Sequence, residues 1–283
     1  MLNQADERQQ ADPQFGPARI TEREFSWIRE FLLRRSGIEL KAGKEALVVG
    51  RLDRRLRFHG LDSFSEYFDF LSRDEDEENL VVDLLTTNET YFFRESAHFD
   101  RLPSLLPDAR TRAGRPVRVW SAAGSTGEEA YTIALTLADA LGDQGWEVVG
   151  TDISARVLET ARTALYPIAA AELIPEPLLR EHCLKGRGEQ EGWFTITSAL
   201  RSRVSFQYAN LTEPFPALGR FDVVFLRNVM IYFGNDTKRE LVRRVVETLY
   251  PGGYLLIGHA ESITGLHTGL TPVAPSIFRV PER

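Results

Sequence analysis

The 283-residue chain has a single cysteine, Cys183, so no internal disulfide can form, and a reducing cytosol is the expected setting. No apolar run reaches the ~18 residues that a membrane helix needs, and no signal-peptide core is present. Basic residues are outnumbered, 34 against 41 acidic, for a net charge of -7. That balance disfavours a general nucleic-acid binder and makes any basic patch more informative. The five histidines, at 59, 98, 182, 259 and 267, lack zinc-ligand spacing. No G-x-S-x-G nucleophile elbow occurs. Cys183 lies beside His182 near a helix end, where sequence neighbours do not face one another, so no nucleophile pair is expected. Glycosylation-like sequons begin at Asn88, Asn210 and Asn235 and carry no meaning in a cytosolic protein. No internal repeat is visible.

Ordinary globular material makes up the rest, 43% apolar and 27% charged, enough for a large core. Residues 1–18 are polar and aperiodic and read as a disordered tail. From Thr21 the pattern is helical. Thr21 and Glu24 form a capping box, and Phe25, Ile28, Phe31 and Leu32 recur on one face. Gly37 ends that helix. Further helices are predicted over Lys44–Phe58, from Ser63 to about Ser72, and through Leu80–Leu85 after the acidic run Asp74–Glu78. From Val117 strands alternate with helices. Strands are predicted at Val117–Ala122, Glu147–Asp152, Val204–Tyr208, Asp222–Leu226, Tyr254–Gly258 and Ile277–Val280. Helices are predicted at Thr126–Leu141, Ala155–Ala164 and Asp236–Leu249. This is a doubly wound α/β domain with a parallel sheet. Residues 185–203, with three glycines and the alternation Trp193, Thr195, Thr197, predict a short antiparallel β excursion.

The loop after the first strand, SAAGSTGEEA, is wrong for phosphate. A Walker loop needs Gly-Lys-Ser/Thr, but here Gly127 precedes Glu128 and Glu129, which repel a triphosphate. Only Gly124 and Gly127 are present where a dinucleotide fingerprint needs three glycines. The fitting ligand has a carboxylate for the helix N-terminus, an ammonium for Glu128 and a ribose for Asp152. S-adenosylmethionine (SAM) carries all three groups.

Three more constellations stand out. TTNETYFFRES, residues 86–96, sets Asn88, Thr90 and Arg94 among apolar residues, with Tyr91, Phe92 and Phe93 expected to pack between domains. FDVVFLRNVMIYF, residues 221–233, is a buried strand with Arg227 and Asn228 at its carboxyl end, where open α/β sheets bind ligands, and Tyr232 follows one turn on. ANL, residues 209–211, ends the preceding strand on the same rim. In the second helix Lys44, Arg51, Arg54 and Arg57 share a face opposite Val48, Leu52 and Leu56, a basic stripe suited either to solvent or to an acidic partner.

These motifs, with GTDISARVLETARTALY and PGGYLLIGHAES, closely resemble the chemotaxis-receptor glutamate O-methyltransferase family, collinearly over about residues 21–263. The resemblance implies a SAM-methyltransferase sheet, a small all-helical N-terminal domain (19–92) and a SAM-binding domain (93–283) with an inserted antiparallel β-subdomain at about 183–206. It implies methyl transfer to glutamate carboxylates of a chemoreceptor's cytoplasmic helical domain. It further implies that Asn88, Thr90 and Arg94 contact SAM or line the transfer site. Glu128 would meet the methionyl amine and Asp152 the ribose. Asn210 and Leu211 would flank the adenine, Arg227 and Asn228 would close the cofactor site, and Tyr232 would approach the reacting methyl. Arg94 and Tyr232 are thus the catalytic candidates. The turn around Gly186, Gly188 and Gly192 resembles members that dock a receptor's C-terminal tethering peptide. No obligate dimer and no metal are expected. A same-fold methyltransferase or SAM-binding signalling protein with a non-chemotaxis partner remains the alternative.

Overall fold

The computed structural model describes residues 19–108, 114–142 and 144–282. The tail read over 1–18 lies outside the described residues. The chain forms two compact units, one from the segments up to Leu32 and Leu40–Leu85, the other from Leu33–Glu39 and Thr86 onward.

The first unit is built on α1 (Glu22–Ser36), whose last residues from Leu33 belong to the second unit, with α2 (Glu45–Phe58), α3 (Phe64–Leu71) and α4 (Glu75–Leu85). The predicted capping box is formed: the Thr21 N–H donates to Glu24 Oε2 at 2.7 Å, and the Glu24 N–H donates back to Thr21 Oγ1 at 3.3 Å. Val48, Leu52 and Leu56 of α2 are buried, as the stripe pattern requires. Asp74 caps α4 by accepting from the Glu77 N–H at 3.0 Å. Glu77 is itself buried. Burial pushes its carboxyl up, but hydrogen bonds from Arg55, Tyr67 and His59 outweigh this and hold it down at about 2.

The second unit is a seven-stranded sheet in the order β6-β2-β1-β7-β8-β10-β9. Its strands are β1 (Val117–Ala122), β2 (Trp146–Asp152), β6 (Val204–Tyr208), β7 (Phe221–Leu226), β8 (Leu249–Ile257), β9 (Thr271–Ala274) and β10 (Ile277–Arg279). The first five of these pair in parallel, and β10 runs antiparallel to β8 and β9. Preceding β1 is α5 (Ala97–Leu105), and α6 (Glu128–Leu141), α7 (Ala155–Thr163) and α10 (Asn235–Thr248) fill the crossovers, with α8 (Glu176–His182) and α9 (Ser198–Arg201) between α7 and β6. Both sheet faces are covered. Val119, Ile133, Val148 and Phe225 lie in one apolar cluster; Trp120, Val224, Leu241 and Leu255 lie in the other.

Two strands escaped prediction. β9 carries Pro272 and is largely exposed, so it shows neither alternation nor an apolar run. The small sheet has the order β3-β5-β4, from Leu165–Pro167, Trp193–Ile196 and Cys183–Lys185. The excursion therefore begins at Leu165, not near 183, and ends at Ile196, because Ser198–Arg201 is helical and Val204 already belongs to the main sheet. The tripeptide Leu165-Tyr166-Pro167 is too short, and its proline too disruptive, to read as a strand.

Candidate active site

The β1–α6 loop is strained where it turns. Ala123 (φ 125) and Ser125 (φ 49) are left-handed without being glycine. Gly127 (φ 96) is required, since a Cβ there would lie 2.9 Å from both Ala161 Cβ and Tyr166 Oη. The strain has a use. The Ser125 N–H donates to Asp152 Oδ2 at 2.9 Å, and the Ser154 N–H donates to Oδ1 at 3.0 Å. The acid at the end of β2 is thereby fixed at the sheet's carboxyl edge.

The two glutamates that begin α6 diverge. Glu128 accepts from Thr126 Oγ1 at 2.6 Å, and burial pushes its carboxyl up. Glu129 turns inward, accepting from Ser121 Oγ at 2.7 Å and Arg227 Nη1 at 2.9 Å. Burial raises its carboxyl, while Arg227 opposes that rise. Glu129 is thus an ion-pair partner, not part of the ligand-selecting pair that the loop sequence suggests.

Asn88 and Thr90 lie in the irregular segment that leads into a turn over residues 92–96 of the second unit, and Arg94 lies on that turn. The Ser125 hydroxyl donates to the Asn88 carbonyl at 3.1 Å. Phe93 (φ 56) and Glu95 (φ 57) are both left-handed. Arg94 Nη1 donates to the Glu89 carbonyl at 2.5 Å, with the guanidinium 5.7 Å from the Tyr91 ring centre. Two of the three aromatics expected between domains pack within the α/β unit. Phe92 is buried against Tyr166 and Phe194 inside the α/β unit, Phe93 packs on Phe99, and Tyr91 is exposed.

Arg227 is held by the protein's own groups. Its guanidinium is 1% exposed and donates to Glu129, to Glu95 Oε2 at 3.0 Å and to the Arg94 carbonyl at 2.5 Å. Asn228 (φ 58) donates through Nδ2 to Glu95 Oε1 at 3.1 Å and through its N–H to Glu261 Oε2 at 2.9 Å. Gly258 is needed beside it, since a Cβ would come 2.7 Å from Asn228 Nδ2. Asn210 is equally committed: Nδ2 donates to the Arg35 carbonyl at 2.8 Å, and Oδ1 accepts from the Thr212 N–H and hydroxyl. Leu211 is buried. Half-buried Tyr232 ends a 3-10 turn, and its carbonyl accepts from the Glu39 N–H at 2.8 Å. Ile38 bridges Phe233 next to it. A short strap, Leu33–Glu39, therefore fastens both the Asn210 loop and the Tyr232 turn.

The stripe residues of α2 differ in their surroundings. Lys44 and Arg54 are exposed. Arg51 donates to the Leu84 carbonyl at 3.1 Å, and Arg57 pairs with Asp53 at 2.9 Å. Gly186 and Gly188 (φ 60) make the β4–β5 turn; a Cβ on Gly186 would overlap the Gln190 carbonyl.

Among the described residues, Glu95, His98 and His259 bring potential metal donors within 4.8 Å of one another. A cation there would compete with the Arg227 guanidinium for the same Glu95 oxygen, so the trio reads as part of the Arg227 network. Glu95, Glu129 and Glu261, which hold Arg227 and Asn228, were missed in the sequence. For Glu95 and Glu261 the signal was a charged side chain inside the apolar stretches FFRES and LLIGHAES.

A doubly wound sheet, an anchored acid ending β2 and a carboxylate at the α6 N-terminus define the class: a SAM-dependent methyltransferase fold. Residues 88–276 match the model described as CheR methyltransferase, SAM binding domain, and residues 23–86 match CheR methyltransferase, all-alpha domain. The chain belongs to the CheR methyltransferase family. It is 44% identical over 245 residues to the chemotaxis protein methyltransferase 2 of Pseudomonas aeruginosa, covering 86% of this chain and 87% of that one. The chemotaxis protein methyltransferases of Salmonella typhimurium and Escherichia coli are 41% and 40% identical, with coverage of 87% and 92% of this chain and 86% and 91% of theirs. The cofactor is S-adenosylmethionine, and the donor set fits it: a preset carboxylate for hydroxyls, a second carboxylate at a helix N-terminus, and no lysine in the loop for a pyrophosphate. No helix among the described residues is long and apolar enough to cross a membrane.

Proposed function

We propose that this protein transfers a methyl group from SAM to glutamate side chains on the cytoplasmic helical domain of a chemoreceptor, forming methyl esters. The supporting observation is a shared anchor. Ser125 donates its N–H to Asp152 and its hydroxyl to Asn88, so one residue ties the acid proposed for the ribose to the segment that leads into the turn bearing Arg94. When bound, SAM supplies a methyl already activated by its sulfonium. A glutamate carboxylate is ionised at neutral pH, so no general base is required. The task left to the protein is alignment and exclusion of water. Asp152 holds the ribose, Glu128 takes the ammonium, and Asn88 and Thr90 line the transfer site. The backbone around Asn210 and Leu211 flanks the adenine, while Arg227 and Asn228 close the site by fixing its walls. Arg94, with one donor on Glu89, uses the rest of its fork to position the incoming carboxylate, and Tyr232 steadies one of its oxygens.

Peptide mass spectrometry of a receptor cytoplasmic fragment incubated with the enzyme and SAM tests this reading. Single methyl additions confined to glutamates are expected, and they should be lost with Asp152→Ala. Methylation at lysine or at a small molecule alone would redirect the assignment.

Two partner contacts belong to the same reading. The basic stripe of α2, chiefly exposed Lys44 and Arg54 with Arg51 and Arg57 beside them, meets the acidic receptor helices. The small sheet, whose outer strand β4 bears exposed Leu184 beside the Gly186–Gly188 turn, receives a C-terminal tethering peptide. The setting is cytoplasmic, in keeping with the lone cysteine, and the enzyme acts as a monomer.

A further inference from the structure

Thr132 is fully buried in α6, between Tyr131 and Ile133, where an apolar residue would be the ordinary choice. Its hydroxyl is used twice. It donates to the Glu128 carbonyl one turn earlier at 2.6 Å, and it accepts the Phe93 N–H at 3.1 Å. Phe93 is left-handed at φ 56, a conformation that an aromatic residue holds only when its surroundings impose it. At the next residue, the Arg94 carbonyl is held by Arg227, and the Glu95 carboxylate is held by Arg227 and Asn228. Three consecutive residues are thus fastened from outside the turn, and Thr132 supplies the first fastening.

We propose that Thr132 is a positioning residue for methyl transfer, its hydroxyl joining the first turn of α6, which carries Glu128, to the left-handed turn that aims Arg94. This rests on the role given to Arg94 above. Replacing the hydroxyl with a methyl leaves the Phe93 N–H buried without an acceptor, and the turn relaxes. SAM contacts through Asp152 do not pass through this bond.

Thr136 provides an internal control. One turn further along α6, its hydroxyl donates to the Thr132 carbonyl at 2.9 Å, and among the described residues it holds no part of the Arg94 turn.

The test uses the full chain with SAM and a receptor cytoplasmic fragment. Thr132→Val, Thr132→Ala, Thr132→Ser, Thr136→Val, Arg94→Ala and the double variant Arg94→Ala/Thr132→Val are compared by kcat, KM, SAM affinity and melting temperature. Thr132→Val should lower kcat roughly 10- to 100-fold while SAM affinity stays within about twofold. If that variant does not fold, Thr132→Ala carries the same expectation. Thr132→Ser should restore turnover, and Thr136→Val should behave as wild type. In the Arg94→Ala background the valine should cost nothing further. Wild-type kcat in Thr132→Val alongside a damaged Arg94→Ala overturns the proposal and spares the Arg94 role. An equal further loss on the Arg94→Ala background also overturns it, because Thr132 would then act as general structure. Wild-type turnover in Arg94→Ala itself overturns the underlying reading and the proposal together.

Discussion

Glu128 and His98 are ordinary side chains put to use by burial. Burial raises the Glu128 carboxyl above its usual 4.5, and an ammonium requires the ionised form. SAM affinity should therefore weaken as pH falls through that raised value. In isothermal titration, Glu128→Gln should bind more weakly at neutral pH and show a flatter pH profile. His98 is buried, and among the described residues neither ring nitrogen finds a hydrogen-bond partner. Burial, with Arg227 nearby, lowers it from 6.5 to about 4. The unfolded chain thus takes up a proton before the folded one does, and stability falls as pH drops from 6.5 towards about 4. Thermal melts of His98→Leu across that window should decline less steeply than those of wild type.

Among the elements, the strap Leu33–Glu39 has the clearest consequence. Gly37 sits at φ 72, and a Cβ there would come 2.3 Å from Thr212 Cγ2. Gly37→Ala should cost about 1–2 kcal/mol from the left-handed backbone alone. Because the strap holds both the Asn210 loop and the Tyr232 turn, KM for SAM should rise and kcat should fall with it; steady-state kinetics beside a thermal melt would reveal both. The strands β1, β2 and β7 were legible because they are buried on both faces and end at a charge or a turn, and the edge strand β6 because Val204, Phe206 and Tyr208 alternate with polar residues. β3 and β9 were not, being three or four residues long and each containing proline. The capping box and the α2 stripe were equally legible, since both follow from spacing within one helix. The clamp on Arg227 was not, because its partners lie 98 and 132 residues away along the chain. A sequence places an arginine at a strand's end; only the fold shows that its charge is already engaged.

For the molecule as a whole, charge decides what can be docked. With a net charge of -7, the acidic receptor helix proposed as partner would be repelled in general and would need a local basic surface. Arg51 is tied to α4 and Arg57 to Asp53, so Lys44 and Arg54 are the cleaner probes. Lys44→Glu/Arg54→Glu should weaken receptor methylation several-fold at low salt, with SAM affinity and melting temperature near wild type, and the difference should shrink as salt rises. Equal methylation at low salt would remove the stripe from the docking surface.

The central claim is the chemistry of the product. After the enzyme is incubated with methyl-labelled SAM and a receptor cytoplasmic fragment, the isolated protein is treated with alkali and the volatile label is counted. Carboxyl methyl esters hydrolyse to methanol, so nearly all incorporated label should become volatile, and Asp152→Ala should incorporate almost none. Label that stays on the fragment through alkali, as an N-methyl group would, contradicts the account.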